Sequence, residues 1–345
     1  MQQVYRPHPT RSRRRCLLLS GLLALVSGCD DSTRPAAQSP PDLAAAERLI
    51  DGALLEGRFA AARSAAEEAA RAIPADERAH ELLARTLACA AAQCPAGNDR
   101  SRLLADSLRS YESALVIRPD WAGVAHAAGV VADQLGRQED ALRHYRSACA
   151  ADSSSAQYRL YEGLALLHLK RYEEARQAMR LAAELDPRSG WPLAALAELS
   201  LATGDTAAAL DFAQRARRAS PDTLAFRVTE AKVLRHLGRH EAVLLLLGAL
   251  PEVDRAEEAV AWELAAAHAA QGDHRSSAAA WELRAHSCPA DPAPALAAAR
   301  AWLAGEDFVR AQRWLELARE AGADEAALTD AAAELNAAIA RRQSQ

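Results

Sequence analysis

The stretch GLALLHLKRYEEARQAMRLAAELDP (Gly163–Pro187) spells out a helix, a turn and a second helix. It sets small residues at Gly163, Ala175 and Ala182, a larger filler at Met179, a turn at Lys170 and a closing proline at Pro187. Two packed helices need small residues where their backbones approach closest, and proline cannot continue a helix. The turn position recurs every 34 residues without slippage, at Gly136, Lys170, Gly204, Gly238, Gly272 and Glu306. Five residues after it stand Ala141, Ala175, Ala209, Val243, Ser277 and Ala311; seven before it stand Gly129, Gly163, Ala197, Ala231, Ala265 and Ala299. Fillers follow at Tyr145, Met179, Ala213, Leu247, Trp281 and Leu315, and Pro187, Pro221 and Pro289 close three of the copies. A turn residue at this period is the signature of a solenoid of helical pairs, in which an interaction surface is expected before a catalytic pocket.

This order of small residue, turn, small residue, filler, small residue and proline resembles the tetratricopeptide repeat family. The resemblance implies an all-α fold, about eight helix pairs wound as a right-handed superhelix. Upstream, LLEGRFAAARSAAEEAARAIP (Leu54–Pro74) holds Gly57, Phe59, Ala62, Ala69 and Pro74 in the same register. The solenoid is expected over 43–345, with repeats at 43–76, 77–121, 122–155, 156–189, 190–223, 224–257, 258–291 and 292–325, and a capping helix over 325–342. The second repeat fits only with extra residues between its helices, expected as an insertion at 92–100. Two copies depart from the pattern. Arg255 stands at a closing-proline position with Pro251 four residues early, and Arg284 stands where a small residue is usual.

Arg11, Arg13, Arg14 and Arg15 precede a short apolar run, Cys16–Val26, that ends in Ser27, Gly28 and Cys29. Basic residues, a short hydrophobic run and small residues make a secretory leader, expected over 1–28. The run is too short for a permanent membrane-spanning helix. LVSGC resembles a bacterial lipobox, which implies that Cys29 becomes a lipidated N-terminus facing the periplasm. The other reading is a plain cleaved leader that ends in cysteine. By resemblance to enteric retention rules, Asp30 and Asp31 lean toward the inner membrane over the outer. Residues 29–42, rich in Ser, Pro, Gln and Asp, read as a flexible tether.

The chain is 50% hydrophobic but only 5% aromatic, because alanine, the best helix former, carries much of the apolar share. No sustained valine–isoleucine alternation proposes a sheet. The formal charge is −5; a leader carrying Arg6, Arg11, Arg13, Arg14 and Arg15 and no acid leaves −10 for the mature chain. That acidity argues against nonspecific nucleic-acid binding. Cys89 and Cys94 flank the insertion. A disulfide between them is open if the helix ends near Ala92, since a continuous helix would place the thiols poorly. Cys149 and Cys288 read as buried thiols.

No haem-attachment, zinc-protease, nucleophile-elbow or phosphate-loop motif occurs, so no cofactor or metal is expected and the chain does not read as an enzyme. His236 and His240 flank Gly238 at a turn, so they share no helical face. The tetratricopeptide resemblance implies a groove lined by the first helix of each pair. By register it would hold His126 and Asp133, Gln157, Trp191 and Glu198, then Lys232, Arg235 and His236, then Trp262 and Arg300. The lysine and asparagine pattern of chaperone-binding members is not matched. Tryptophans beside a basic cluster suit a peptide with an apolar anchor and an acidic group; alternatively, the tryptophans fill a core left thin by alanine. The expected function is a membrane-tethered periplasmic scaffold that binds a protein or peptide partner and meets the bilayer through acylated Cys29. The alternative is an assembly factor for an envelope machine, such as a type IV pilus or secretin, or outer-membrane protein insertion.

Overall fold

The computed structural model describes residues 41–94 and 97–344, and every regular element among them is an α-helix. The chain divides into two compact units, which part between Pro187 and Arg188. The first unit holds four hairpins: α1 (Pro41–Leu55) with α2 (Phe59–Ala72), α3 (Glu77–Gln93) with α4 (Asn98–Ile117), α5 (Ala122–Gln134) with α6 (Gln138–Ala151), and α7 (Ala156–His168) with α8 (Tyr172–Leu185). The second holds α9 (Trp191–Ala202) with α10 (Thr206–Ala219), α11 (Leu224–His236) with α12 (His240–Gly248) and the one-turn α13 (Glu252–Arg255), α14 (Glu258–Ala270) with α15 (His274–Ser287), α16 (Pro292–Ala304) with α17 (Phe308–Glu320), and the cap α18 (Glu325–Gln343).

All six turn positions adopt the left-handed backbone, including the two that are not glycine, Lys170 and Glu306, each at φ 60°. Each closes its helix by the same pair of backbone bonds. At Gly136, its own N–H donates to the Asp133 carbonyl and the Arg137 N–H donates to the Ala132 carbonyl, at 2.8 and 2.9 Å. These two bonds satisfy carbonyls that the end of a helix would otherwise leave unpaired. The left-handed stop turns the chain at once, so the second helix folds back on the first.

The fold-back demands small residues at the crossing. A Cβ added at Gly129 would meet the Tyr145 ring at 2.5 Å, and one at Gly163 would meet Met179 Cγ at 2.7 Å. Ala141, Ala175, Ala209, Val243, Ser277 and Ala311 are all buried. The core of each unit is therefore built from close crossings, with Tyr111, Tyr145 and Met179 as larger fillers in the first and Leu247 in the second.

The second repeat differs from the expected insertion. α3 runs to Gln93 and α4 starts at Asn98, so the extra length is carried largely by these two helices, which run 17 and 20 residues against 13 and 14 in the following hairpin. Alanine at 90–92 carries α3 on through the stretch expected to form a loop. The two departures in the second unit prove to be one feature. Pro251 stops the short α12, α13 replaces its last turn, and the buried Arg284 of α15 reaches across. Its Nη1 donates to the Ala256 carbonyl at 3.3 Å, and its Nη2 stands 3.8 Å from Glu258. A small residue there would leave that carbonyl without this donor.

The leader 1–28, Cys29 and residues 30–40 of the expected tether lie outside the described residues. The tether's last two residues, Pro41 and Asp42, already belong to α1. No helix among the described residues is long and apolar enough to cross a membrane.

Ala175 tests the register. Ala175→Leu should destabilise the protein by roughly 1–3 kcal/mol through overpacking, whereas Glu173→Gln, which loses only an exposed ion pair to Arg176, should change stability by less than about 0.5 kcal/mol. Thermal melts of the two variants make the comparison; equal shifts would contradict the assigned crossing.

Candidate functional site

In the second unit, the first helices α9, α11, α14 and α16 carry the expected groove residues. Trp191 opens α9 with its ring 54% exposed and its edge on Phe226, centroid to centroid 4.9 Å. Close packing beneath it needs Gly190, where a Cβ would strike the Phe226 ring at 2.5 Å. Trp262 on α14 is 44% exposed, and the Arg235 guanidinium lies over its ring at 4.5 Å. Arg235 in turn donates from Nε to Glu263 Oε2 at 2.8 Å. Burial raises the Glu263 carboxyl above its ordinary range, and the nearby Arg235 and Lys232 charges only partly offset it. The outcome is a tryptophan held flat by an arginine that is itself fixed by a buried acid. Both tryptophans stand half-open on the first-helix face. The other large core tryptophans, Trp302 and Trp314, are buried and donate their indole N–H groups to Glu282 Oε1, at 2.6 and 2.7 Å.

The basic cluster requires correction. Lys232 Nζ faces Glu198 Oε1 at 3.5 Å, and Arg235 is committed to Glu263. The charges of Lys232 and Arg235 therefore tie neighbouring first helices together, and the patch is not a surplus of positive charge awaiting an acidic group. His236 is held below its usual pKa by burial first, then by Arg235 and Lys232. Arg300 is exposed on α16.

In the first unit the expected residues separate. His126 does not face a groove. It is buried in the core within 4.7–5.7 Å of the Tyr145, Tyr158 and Tyr161 rings, and burial lowers its pKa to about 4, so it is neutral at physiological pH. The long tyrosine side chains of α6 and α7 close over it, which helical register alone does not reveal. Asp133 accepts from Gln138 Nε2 at 2.8 Å and faces His168 Nδ1 at 3.6 Å. Burial would raise its carboxyl, but these partners hold it below the usual range. Gln157 is exposed. Cys89 and Cys94 are both free thiols, which corrects the candidate disulfide. α3 runs through to Gln93, so five residues of helix set the two side chains roughly 140° apart around its axis. Cys89 is buried inside the hairpin and Cys94 caps the helix end.

The pairing of groove charges escaped the reading of single positions, although its signal was present. Asp51 pairs with Arg85 at 2.8 Å and Glu198 with Lys232 at 3.5 Å, and each pair is separated by one 34-residue period with opposite sign.

This arrangement of hairpins is that of a tetratricopeptide-type repeat protein. Residues 160–189 match the tetratricopeptide repeat family model. No curated protein matches the chain in sequence. Among solved structures, yeast Tom70 is similar over 83% of this chain and 59% of its own at TM-score 0.60 and 16% identity. A tetratricopeptide repeat protein from Parabacteroides merdae ATCC 43184 is similar over 84% of this chain and 98% of its own, at TM-score 0.53 and 16% identity. PilW, a type IV pilus biogenesis factor, is similar over 64% of this chain and 98% of its own, at TM-score 0.53 and 15% identity. At these identities the likeness is one of fold.

Removing Arg235 should strand Glu263. Arg235→Ala is expected to destabilise the protein by roughly 3–5 kcal/mol near neutral pH, the cost of an unpaired buried charge. Adding Glu263→Gln should recover much of the loss. In the single variant the acid's raised folded pKa makes protonation favour the native state, so stability should rise as pH falls. Urea melts of the single and double variants at two pH values check both statements.

Proposed function

We propose that the chain is a lipid-anchored interaction scaffold of the bacterial envelope that holds a protein partner on the first-helix face of its second unit. The observation that carries this reading is Trp262. It is a large aromatic side chain left 44% exposed, yet locked in place by Arg235 and Glu263. A rigid, half-open tryptophan contributes apolar contact at little cost in conformational entropy, and such residues dominate the energetics of interfaces. Trp191, supported by Phe226, offers a second contact of the same kind. The scaffold acts by binding, with no catalytic step, and its acidic mature chain favours a protein over a nucleic acid. The lipobox at Cys29 would supply the membrane anchor, since each buried methylene of an acyl chain contributes about 0.8 kcal/mol. Asp30 and Asp31 favour the inner membrane. A second reading, an assembly factor for an envelope machine, draws on the fold likeness to PilW, described as a pilus biogenesis factor.

Trp262→Ala should abolish capture of the partner crosslinked in intact membranes, with helicity by circular dichroism unchanged. Full capture by the folded variant would move the site off this face. Cys29→Ala should shift the exported protein into the soluble periplasmic fraction; retention on membranes after a high-salt wash would overturn the anchor.

A further inference from the structure

Both open tryptophans of the second unit rest on the same helix. Trp191 of α9 sets its edge on Phe226 of α11, and Trp262 of α14 lies under the Arg235 guanidinium of α11. Phe226 and Arg235 stand nine positions apart on that helix. At about 100° and 1.5 Å per residue, nine positions place the two contacts on opposite flanks of α11 and about 13 Å apart along its axis. The open face of α11 runs between the rings and carries Ala225, Val228, Thr229, Lys232 and His236.

The charges along this stretch are already matched. Lys232 faces Glu198 of α9, Arg235 donates to the buried Glu263, and the buried Glu230 accepts from Arg217 of α10. His236 is held below its usual pKa by burial and by the two cations beside it, which keeps it neutral near pH 7. Paired charges give an ionic segment little advantage, whereas two supported aromatic rings favour apolar anchors.

We infer that this diagonal across α11 seats an extended partner segment with two apolar side chains four residues apart, one against Trp191 and one against Trp262, and with no charge required at either anchor. This rests on the reading of the first-helix face of the second unit as the partner-binding surface. Four residues of extended chain span about 13 Å, and because successive side chains alternate, the first and fifth point the same way. The offset across the width of α11 is spanned by the anchor side chains themselves. An extended backbone also brings unpaired N–H and C=O groups, whereas a helix has satisfied its own. Lys232 lies between the two anchor points along α11, with Glu198 beside it. The two meet at 3.5 Å and stay 40% and 41% exposed, so carboxylate and ammonium capacity remains for the segment's backbone.

The test is fluorescence anisotropy with the full mature chain and labelled octapeptides of serine and threonine, acetylated and amidated, that carry two phenylalanines. Peptides with the phenylalanines four residues apart should bind about tenfold tighter than those with them three apart, the scale of one anchor lost from an interface. Trp191→Ala and Trp262→Ala should each remove that preference. Leu245→Ser, which takes away an open apolar side chain on α12, should leave it unchanged. Raising sodium chloride from about 50 to about 500 mM should change affinity by less than about twofold, since screening acts on unpaired charges. Absence of binding, equal binding at both spacings, or an equal loss in Leu245→Ser overturns the inference. So does tighter binding of a helical peptide with phenylalanines seven residues apart, which would mark a docked helix. If Trp191→Ala does not fold, Trp262→Ala and the spacing series decide the outcome. Partner capture that depends on Trp262 without any spacing preference sinks only this inference; spacing-dependent peptide binding with capture undiminished in Trp262→Ala sinks only the scaffold reading.

Discussion

Seven of the eight hairpins among the described residues, all but α3–α4, depend on one residue holding a left-handed backbone. That residue ends the first helix by two backbone hydrogen bonds and reverses the chain within a few residues. The two helices then cross so closely that only glycine, alanine or a comparably small side chain fits at the contact. Glycine adopts this conformation freely, whereas Lys170 and Glu306 are held there by the bonds around them. The alanine-rich composition follows from the same constraint. Short side chains permit the crossings, and the burial of many small surfaces replaces that of a few large ones.

Close crossings leave the first helices of successive hairpins side by side, with their charged residues in rows. The rows are used structurally. Asp51 with Arg85, Asp133 with His168, Glu198 with Lys232 and Arg235 with Glu263 each join first helices of adjacent hairpins. Partly exposed pairs of this kind contribute little stability one by one. Their larger effect is on what the face presents to a partner, because a paired charge attracts little. What remains open are the two supported tryptophans of the second unit.

The architecture was legible in the sequence because it is periodic. A stop every 34 residues, with small residues at set distances from it, specifies hairpins whatever fills the space between them, and the structure places a left-handed residue at each beat. The insertion at 92–100 was misplaced for a local reason: a run of alanines extends a helix as readily as it forms a loop's edge, and only packing against α4 settles where α3 ends. The disulfide failed with it.

Single positions on the groove were less legible. Register placed His126 on an outward face, yet three tyrosine rings from α6 and α7 bury it, since long side chains from neighbouring helices reach over a position that helical geometry leaves open. Lys232 and Arg235 read as a positive patch until the adjacent helices supplied Glu198 and Glu263. Repeat period, helix class, turn positions and small crossing residues come from local sequence, because backbone conformation and close approach are decided within one hairpin. Which charges are spent, which histidine is dry and which tryptophan is held open come from contacts between hairpins. Those contacts join residues a full repeat apart, and their pairing exists only once the helices lie side by side.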